Sequence, residues 1–214
     1  MQRGTKIALG AGAAGLLALM LMQSRQPTIP GAGFIIGGKR YPSQARVQTW
    51  DETGMGFSGL ADRKSTRGVV LHFSGSAAAT PKSIYNTLVQ RKLNVQLALG
   101  RDGTFVQFCD LNKRCSHATY ANATYLGIEI AGDGKSYTPA QMQGLFQGLT
   151  TILGAYKLPW RVPTRDDQVV TGVLSTAEFN AFTGILGHYM IEGDKQDPGV
   201  PLMTAVATRN LSIA

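Results

Sequence analysis

Short apolar runs, bounded by glycine and polar residues, recur along the chain from residue 68 onward. Residues 68–72 hold an apolar run that ends at His72, which is typical of a buried strand. Residues 95–99 and 104–108 predict a strand pair, because the intervening Arg-Asp-Gly favours a tight hairpin. Residues 125–131 predict a further strand.

Helical spacing of apolar residues appears between these runs. Thr80 can cap a helix whose first position is Pro81. A longer helix is predicted over residues 139–156, because its apolar residues recur every three or four positions. Ser175 and Glu178 form the pattern of a capping box for a third, short helix. Strands that alternate with helices predict an α/β fold, in which helices are layered on a sheet.

The N-terminus has the pattern of a targeting segment. Arg3 and Lys6 precede an uncharged run over residues 7–22, and a helix of that length spans about 24 Å, less than the roughly 30 Å hydrocarbon core. No small-residue cleavage site follows, which argues against a cleaved signal peptide. We therefore predict a signal anchor or transmembrane segment over residues 1–25, with the rest of the chain beyond the membrane. A buried core helix is the alternative.

The length and composition predict one globular domain with N-terminal appendages. Residues 26–67 are rich in glycine, proline and charge and suggest a linker and a flap, so the domain itself would cover residues 68–214. The net charge of +8 favours a polyanionic partner, for which nucleic acid, anionic lipid and acidic cell-wall polymers all qualify. No nucleic-acid-binding motif is present, so we expect no nucleic-acid partner.

Candidate chemistry is concentrated near the C-terminus. His188, Lys195 and Asp197 lie within ten residues, and a Pro-Gly turn follows the carboxylate. Imidazole nitrogen and carboxylate oxygen are both good Zn²⁺ ligands, and a catalytic zinc takes three protein ligands, of which His72 could be the third. The alternative is a surface loop in which Lys195 makes an incidental ion pair with Asp194 or Asp197.

Several motifs resemble, in collinear order, the zinc-dependent N-acetylmuramoyl-L-alanine amidases. This type 2 amidase family includes phage amidase lysozymes, bacterial anhydro-muropeptide amidases and the peptidoglycan recognition proteins (PGRPs). The resemblance covers roughly residues 68–200 and implies a mixed central β-sheet flanked by helices. The motifs are LHFSG at 71–75, LGRDGTFVQF at 99–108, CSHA at 115–118, Asn122, LGIEIAG at 126–132, YTPAQ at 137–141, and GH followed by KQDPG.

The resemblance implies a complete zinc site. The histidine that ends the first strand, and the histidine and aspartate of the last motif, match His72, His188 and Asp197. Zinc lowers the pKa of its bound water to about 7 and polarises a scissile carbonyl. The implied cofactor is therefore Zn²⁺, and the implied reaction is amide hydrolysis.

The same resemblance implies four further roles. Lys195 matches a basic residue that steadies the developing oxyanion, and Glu129 matches a glutamate that handles protons. His117 matches a groove histidine that is not usually a ligand, and with Asn122 it is expected to contact substrate. Glu129 could instead be a strand residue paired with a cation, and His117 could be structural.

Two features depart from the family pattern or leave alternatives open. Gln96 stands where many members carry histidine, and Val95 stands where phage members often carry tyrosine, so assistance to catalysis from this strand is in doubt. Cys109 and Cys115 are six residues apart and would form a disulfide beyond the membrane or remain free thiols in the cytosol. A Cys₂His zinc site is a rival interpretation.

Together these patterns predict a peptidoglycan hydrolase that cuts between N-acetylmuramic acid and L-alanine, in cell-wall lysis or remodelling or as a phage endolysin. A noncatalytic peptidoglycan-binding module is the alternative. It is disfavoured by the retained Asp197 and Lys195, since noncatalytic PGRPs commonly lose the acidic or thiol ligand. We expect a monomer on the outer face of the cytoplasmic membrane, or an exported protein.

Overall fold

The computed structural model describes residues 33–209. The anchor predicted over residues 1–25 therefore lies outside the described residues. Among residues 33–209, no helix combines the length and the apolar character needed to cross a bilayer.

A six-stranded mixed sheet forms the centre of the fold, as predicted. Its strand order is β10-β4-β7-β5-β6-β3, and two-stranded hairpins, β1-β2 and β8-β9, lie outside it. The strands are β1 (Gly33–Ile36), β2 (Lys39–Pro42), β3 (Val47–Gln48), β4 (Gly68–Phe73), β5 (Leu97–Leu99), β6 (Phe105–Gln107), β7 (Tyr125–Ile130), β8 (Thr164–Arg165), β9 (Gln168–Val169) and β10 (Gly184–Gly187). Strands β10, β4, β7 and β5 are parallel neighbours, and β6 pairs antiparallel with β5 as the predicted hairpin.

Within the described residues, five α-helices flank the sheet, and three of them begin where the sequence predicts. They are α1 (Trp50–Thr53), α2 (Pro81–Gln90), α3 (Pro139–Ala155), α4 (Thr176–Ala181) and α5 (Val200–Thr208). Thr80 caps α2 and Ser175 caps α4, each through a hydrogen bond accepted from a backbone N–H of the first turn. Two short 3₁₀ helices, Thr119–Ala123 and His188–Met190, complete the set.

Strand β10 is an element that the apolar pattern did not predict. Its sequence is Gly-Ile-Leu-Gly, too short and too rich in glycine to stand out from a loop. Gly184 lies opposite Gly68 in the parallel pair with β4, and a Cβ on Gly68 would lie 1.8 Å from the Gly184 carbonyl oxygen. The two glycines allow this close approach, so tertiary pairing creates the strand.

Residues 33–67, expected to form a linker and a flap, also contribute to the main core. Strand β3 joins the sheet edge beside β6, and Phe34, fully buried, packs edge-to-face on Phe105 with a ring-centroid distance of 5.4 Å. Burial of such an aromatic pair stabilises the fold beyond its apolar area alone.

Helix α3 packs so closely on the turn between β5 and β6 that glycine is required at the point of contact. A Cβ on Gly144 would lie 2.3 Å from the Gly103 carbonyl oxygen, whereas one on Gly154, in the same helix, would meet nothing within 4 Å. Gly144→Ala should therefore destabilise the protein by roughly 1–3 kcal/mol, because overpacking outweighs the better helix propensity of alanine. Gly154→Ala should stabilise it by about 0.5–1 kcal/mol. Urea unfolding of both variants tests the pair, and equal effects would contradict the close packing.

Candidate active site

Two histidines meet at the carboxyl ends of adjacent parallel strands. His72 is the fifth residue of β4, and His188 directly follows β10, whose Gly187 is in register with Leu71. Both side chains are buried, with residue exposures of 2% and 8%. Crevices outside the carboxyl ends of parallel strands are the usual ligand sites of open α/β sheets.

Asp197 completes a three-residue cluster with these histidines. Its Oδ2 lies 3.0 Å from the Nδ1 of His72 and 3.0 Å from the Nδ1 of His188, and the two Nδ1 atoms lie 3.1 Å apart. The Asp197 backbone is held by the Tyr189 amide, which donates to its carbonyl oxygen at 3.0 Å. The hydroxyl of Tyr137 donates to the next carbonyl, that of Pro198, at 2.7 Å.

The cluster fits a single divalent metal ion. Two ligand atoms, each 2.0–2.1 Å from a tetrahedral ion, lie roughly 3.3 Å apart, close to the observed separations. Two neutral imidazoles and one carboxylate are also a donor set that suits zinc and leaves a position for water. Within residues 33–209, no other group of three His, Cys, Asp or Glu side chains converges in this way.

The electrostatics of the cluster favour an ionised carboxylate among imidazoles. Burial alone would raise the pKa of Asp197, but its contacts with the imidazoles of His188 and His72 hold it well below its usual value. Burial lowers the pKa of His72, against the effect of the neighbouring Asp197 carboxylate. For His188 burial is outweighed by Asp197 and Glu192, and its pKa is raised, so protons compete with a metal ion at this residue.

Glu192 is an outer partner that sequence reasoning missed. Its Oε1 lies 3.1 Å from the Nε2 of His188 and so accepts a hydrogen bond from the nitrogen that points away from the cluster. Such carboxylate–histidine contacts fix the tautomer and orientation of metal-binding imidazoles. The sequence signal for this contact is that Glu192 follows His188 by four residues.

Glu129 lies beside the cluster and is unusually placed for a carboxyl group. It is in register with His72 on the neighbouring strand, and its Oε2 is buried without a hydrogen-bond partner. Burial, and then the charge of Asp197, raise its pKa to about 8. Within residues 33–209, the structure shows no ion pair between Glu129 and a cation, the alternative considered from sequence. Glu129 is therefore protonated at neutral pH in the metal-free protein, and can hold a proton beside the candidate metal site.

Glu129→Gln should stabilise the metal-free protein at high pH. Because the folded-state pKa of Glu129 is about 8 and its usual value is 4.5, the carboxyl group destabilises the fold increasingly as the pH rises between these values. The difference in unfolding free energy between variant and wild type should grow by roughly 4–5 kcal/mol from pH 4 to pH 9. Urea unfolding after chelation measures it.

The matched control is Glu178→Gln, whose stability relative to wild type should depend on pH in the opposite direction. The pKa of the exposed Glu178 is lowered to about 2, first by the hydrogen bond from the Ser175 backbone, so its ionised form stabilises the fold above its usual pKa. Glu178→Gln should therefore lose stability relative to wild type as the pH rises from about 2 to 4.5, and the difference should stay constant above that pH. A pH-independent difference for Glu129→Gln would show that Glu129 is already ionised at neutral pH.

His117 and Asn122 lie on the side of His72 away from Asp197. The Nδ1 of His117 is 3.1 Å from the Nε2 of His72, and the Oδ1 of Asn122 accepts hydrogen bonds from the backbone amides of His117 and Ala118. Burial, and then the charge of His72, lower the pKa of His117 well below its usual value, so the ring is neutral. His117 is half-buried and Asn122 likewise. Their contact with substrate stays a prediction.

Lys195 does not point into the cluster in this structure. Its Nζ lies 3.0 Å from the Oδ2 of Asp194, and the side chain is 35% exposed. This is one of the ion pairs considered from sequence, and it coexists with the cluster that includes Asp197. An exposed pair of this kind contributes little to stability, so Lys195 can exchange partners at low cost.

Gln96, which stands where many family members carry histidine, makes structural contacts. Its Oε1 accepts from the Gly127 amide at 2.7 Å, and its Nε2 donates to the Lys113 carbonyl at 2.7 Å, so it ties β7 to the loop that carries the cysteines.

Cys109 and Cys115 are buried free thiols whose Sγ atoms lie 3.6 Å apart. The disulfide between them stays a prediction.

Two cavities lie next to helix α2. One of about 380 Å³ is lined in part by Ser74, Arg91 and Glu129, the carboxyl group beside the cluster. The other, of about 840 Å³, is lined by Arg46, Lys82 and neighbouring apolar residues and touches none of the cluster.

A buried His-His-Asp cluster at the carboxyl ends of parallel strands, with a buried glutamate beside it, has the set of donor groups that metal-dependent hydrolase sites use. The model of the family described as N-acetylmuramoyl-L-alanine amidase (Amidase_2) matches residues 62–200, and the chain belongs to this family. The resemblance found from the sequence motifs is thereby confirmed. The activity associated with the family is cleavage of the amide bond between N-acetylmuramic acid and L-alanine in peptidoglycan. No match was found among curated proteins.

Solved structures of similar fold include amidases and recognition proteins. The amidase LysC from Clostridium intestinale URNW is 19% identical, with a TM-score of 0.57 over 78% of this chain and 99% of that chain. Drosophila PGRP-LB is 18% identical, with a TM-score of 0.55 over 79% and 97%. The Ph2119 endolysin of the Thermus scotoductus MAT2119 bacteriophage is 14% identical, with a TM-score of 0.54 over 75% and 98%. At these identities the likeness extends to the fold alone.

Proposed function

We propose that this protein is an active, zinc-dependent N-acetylmuramoyl-L-alanine amidase. The observation that carries the proposal is the convergence of His72, His188 and Asp197 at 3.0–3.1 Å inside the domain that matches the family. A complete three-ligand cluster favours an enzyme over a noncatalytic recognition module, because a module that only binds has no need of these buried polar groups.

The residues around the cluster have distinct roles in the proposed reaction. When bound, zinc supplies a water of lowered pKa and polarises the scissile carbonyl. Glu129, in register with His72 on the neighbouring strand, can take the proton of the attacking water and deliver it to the departing amine of L-alanine. Lys195, once released from Asp194, brings a positive charge to the developing oxyanion.

Hydrolysis of purified peptidoglycan by the full-length protein tests the proposal. New amino termini of L-alanine, identified by end-group labelling and mass spectrometry, should appear with zinc and disappear after chelation. Binding to peptidoglycan without new amino termini would indicate the recognition module instead. Cleavage that releases reducing sugar ends or other amino termini would contradict the assigned bond.

We further propose that residues 1–25 tether the enzyme to the outer face of the cytoplasmic membrane. The enzyme would act there as a monomer. It would serve in remodelling of the cell wall or, as a phage endolysin, in its lysis. The support is the charge pattern and the short, weakly apolar run over residues 7–22. The full-length protein should sediment with membranes and keep its N-terminal sequence. A soluble form that lacks about 25 residues would show signal cleavage instead.

A further inference from the structure

We propose that His117 is a positioning residue that fixes the tautomer and the ring orientation of His72, so that the Nδ1 of His72 is presented to the metal ion. The inference rests on the proposed zinc site and adds to it a defined chain of hydrogen bonds, which runs from the Tyr125 carbonyl through His117 to His72.

The direction of donation along these hydrogen bonds follows from the end at the Tyr125 carbonyl. The Tyr125 carbonyl oxygen can only accept, and the Nε2 of His117 lies 3.3 Å from it, so this nitrogen carries the proton. A neutral His117 then has a bare Nδ1, which accepts from the Nε2–H of His72 at 3.1 Å. When neutral His72 donates through Nε2, its remaining nitrogen, Nδ1, keeps a lone pair for a metal ion. It is the atom that faces His188 and Asp197.

The ring of His117 is seated in a slot that sets its position. A Cβ on Gly127 would lie 2.8 Å from the Cγ and 2.9 Å from the Nδ1 of His117, so the ring lies directly against the β7 backbone and only glycine leaves room for it. From the other side, Asn122 fixes the His117 backbone through the amide hydrogen bond at 2.8 Å. The planes of the His72 and His117 rings are nearly perpendicular, at 89°.

The two metal-facing histidines thus have different outer partners. His188 donates to the carboxylate of Glu192, whereas His72 donates to a neutral imidazole that is itself anchored to the backbone. Removal of such an outer partner typically lowers metal affinity 10- to 100-fold. We expect this loss for His72 when His117 is replaced by a residue that cannot accept a hydrogen bond.

The test compares His117→Phe with His117→Asn in the full-length protein. Phenylalanine fills the slot without an acceptor, whereas the amide oxygen of asparagine can take the place of Nδ1. Zinc affinity, measured by competition with a chromophoric chelator, should fall 10- to 100-fold in His117→Phe and only a few-fold in His117→Asn. Equal affinity in wild type and His117→Phe, with a change in substrate KM alone, would overturn the inference and make His117 a groove contact.

A second measurement requires no variant. In the zinc-loaded wild-type protein at pH 8, long-range ¹H–¹⁵N spectra should show the Nε2–H tautomer for His72, with a coupling across its hydrogen bond to the Nδ1 of His117. The Nδ1–H tautomer, or a missing coupling, would overturn the inference even if His117→Phe fails to fold. These readouts do not depend on hydrolysis. A protein that shows them but leaves peptidoglycan intact would disprove the proposed activity and keep the positioning role.

Discussion

Asp197→Ala and His188→Ala should each leave the protein without stoichiometric zinc and lower peptidoglycan hydrolysis by roughly 10³-fold or more. Each variant removes one of three ligand atoms that lie 3.0–3.1 Å apart, and the two remaining atoms cannot hold a catalytic ion with high affinity. Without the ion, no water of lowered pKa is available at the scissile amide. Metal analysis by mass spectrometry and the release of L-alanine amino termini measure the two effects.

Asp194→Ala is the matched control for the carboxylate. Asp194 lies three residues before Asp197 on the same loop, but its side chain is 75% exposed and contacts Lys195 rather than the histidines. This variant should keep zinc. Full zinc occupancy in Asp197→Ala, or equal loss in both aspartate variants, would contradict the ligand assignment. His188→Ala also removes the partner of Glu192, so its stability should be measured beside its zinc content.

Lys195→Ala should keep zinc and thermal stability yet lower kcat by roughly 10²–10³-fold. The ammonium group contributes little to the fold, because its ion pair with Asp194 is exposed. Its proposed use is in the transition state, where charge develops on the carbonyl oxygen, and removal of one such donor typically costs this factor. Single-turnover hydrolysis with zinc-loaded protein separates this loss from weaker substrate binding.

Two comparisons decide how Lys195 acts. Lys195→Arg keeps a positive charge and should retain more activity than Lys195→Ala. Asp194→Ala removes the resting partner of the ammonium and should not lower kcat, since the lysine is then free to reach the oxyanion. Unchanged turnover in Lys195→Ala would leave Lys195 as a surface charge, which is the alternative that its exposed position in this structure keeps open.

The sequence by itself determined the elements whose signals are local. The apolar run before His72 predicts β4, Asp-Gly predicts the β5–β6 hairpin, and Thr80 and Ser175 mark helix starts, because each depends on residues within a few positions. The ordered motifs likewise brought His72, His188 and Asp197 together as candidate ligands. What they could not supply was which nitrogen of each imidazole faces the other two residues of the cluster.

The tertiary structure alone decided the features that depend on distant chain segments. Strand β10 exists because Gly184 can approach Gly68, 116 positions away, and no local pattern in Gly-Ile-Leu-Gly records that pairing. The placement of His117 behind His72 depends on the slot at Gly127, which forms only when β7 pairs with β4. The raised pKa of Glu129 also follows from burial in the assembled sheet. Burial and side-chain direction are properties of packing, which residue spacing does not encode.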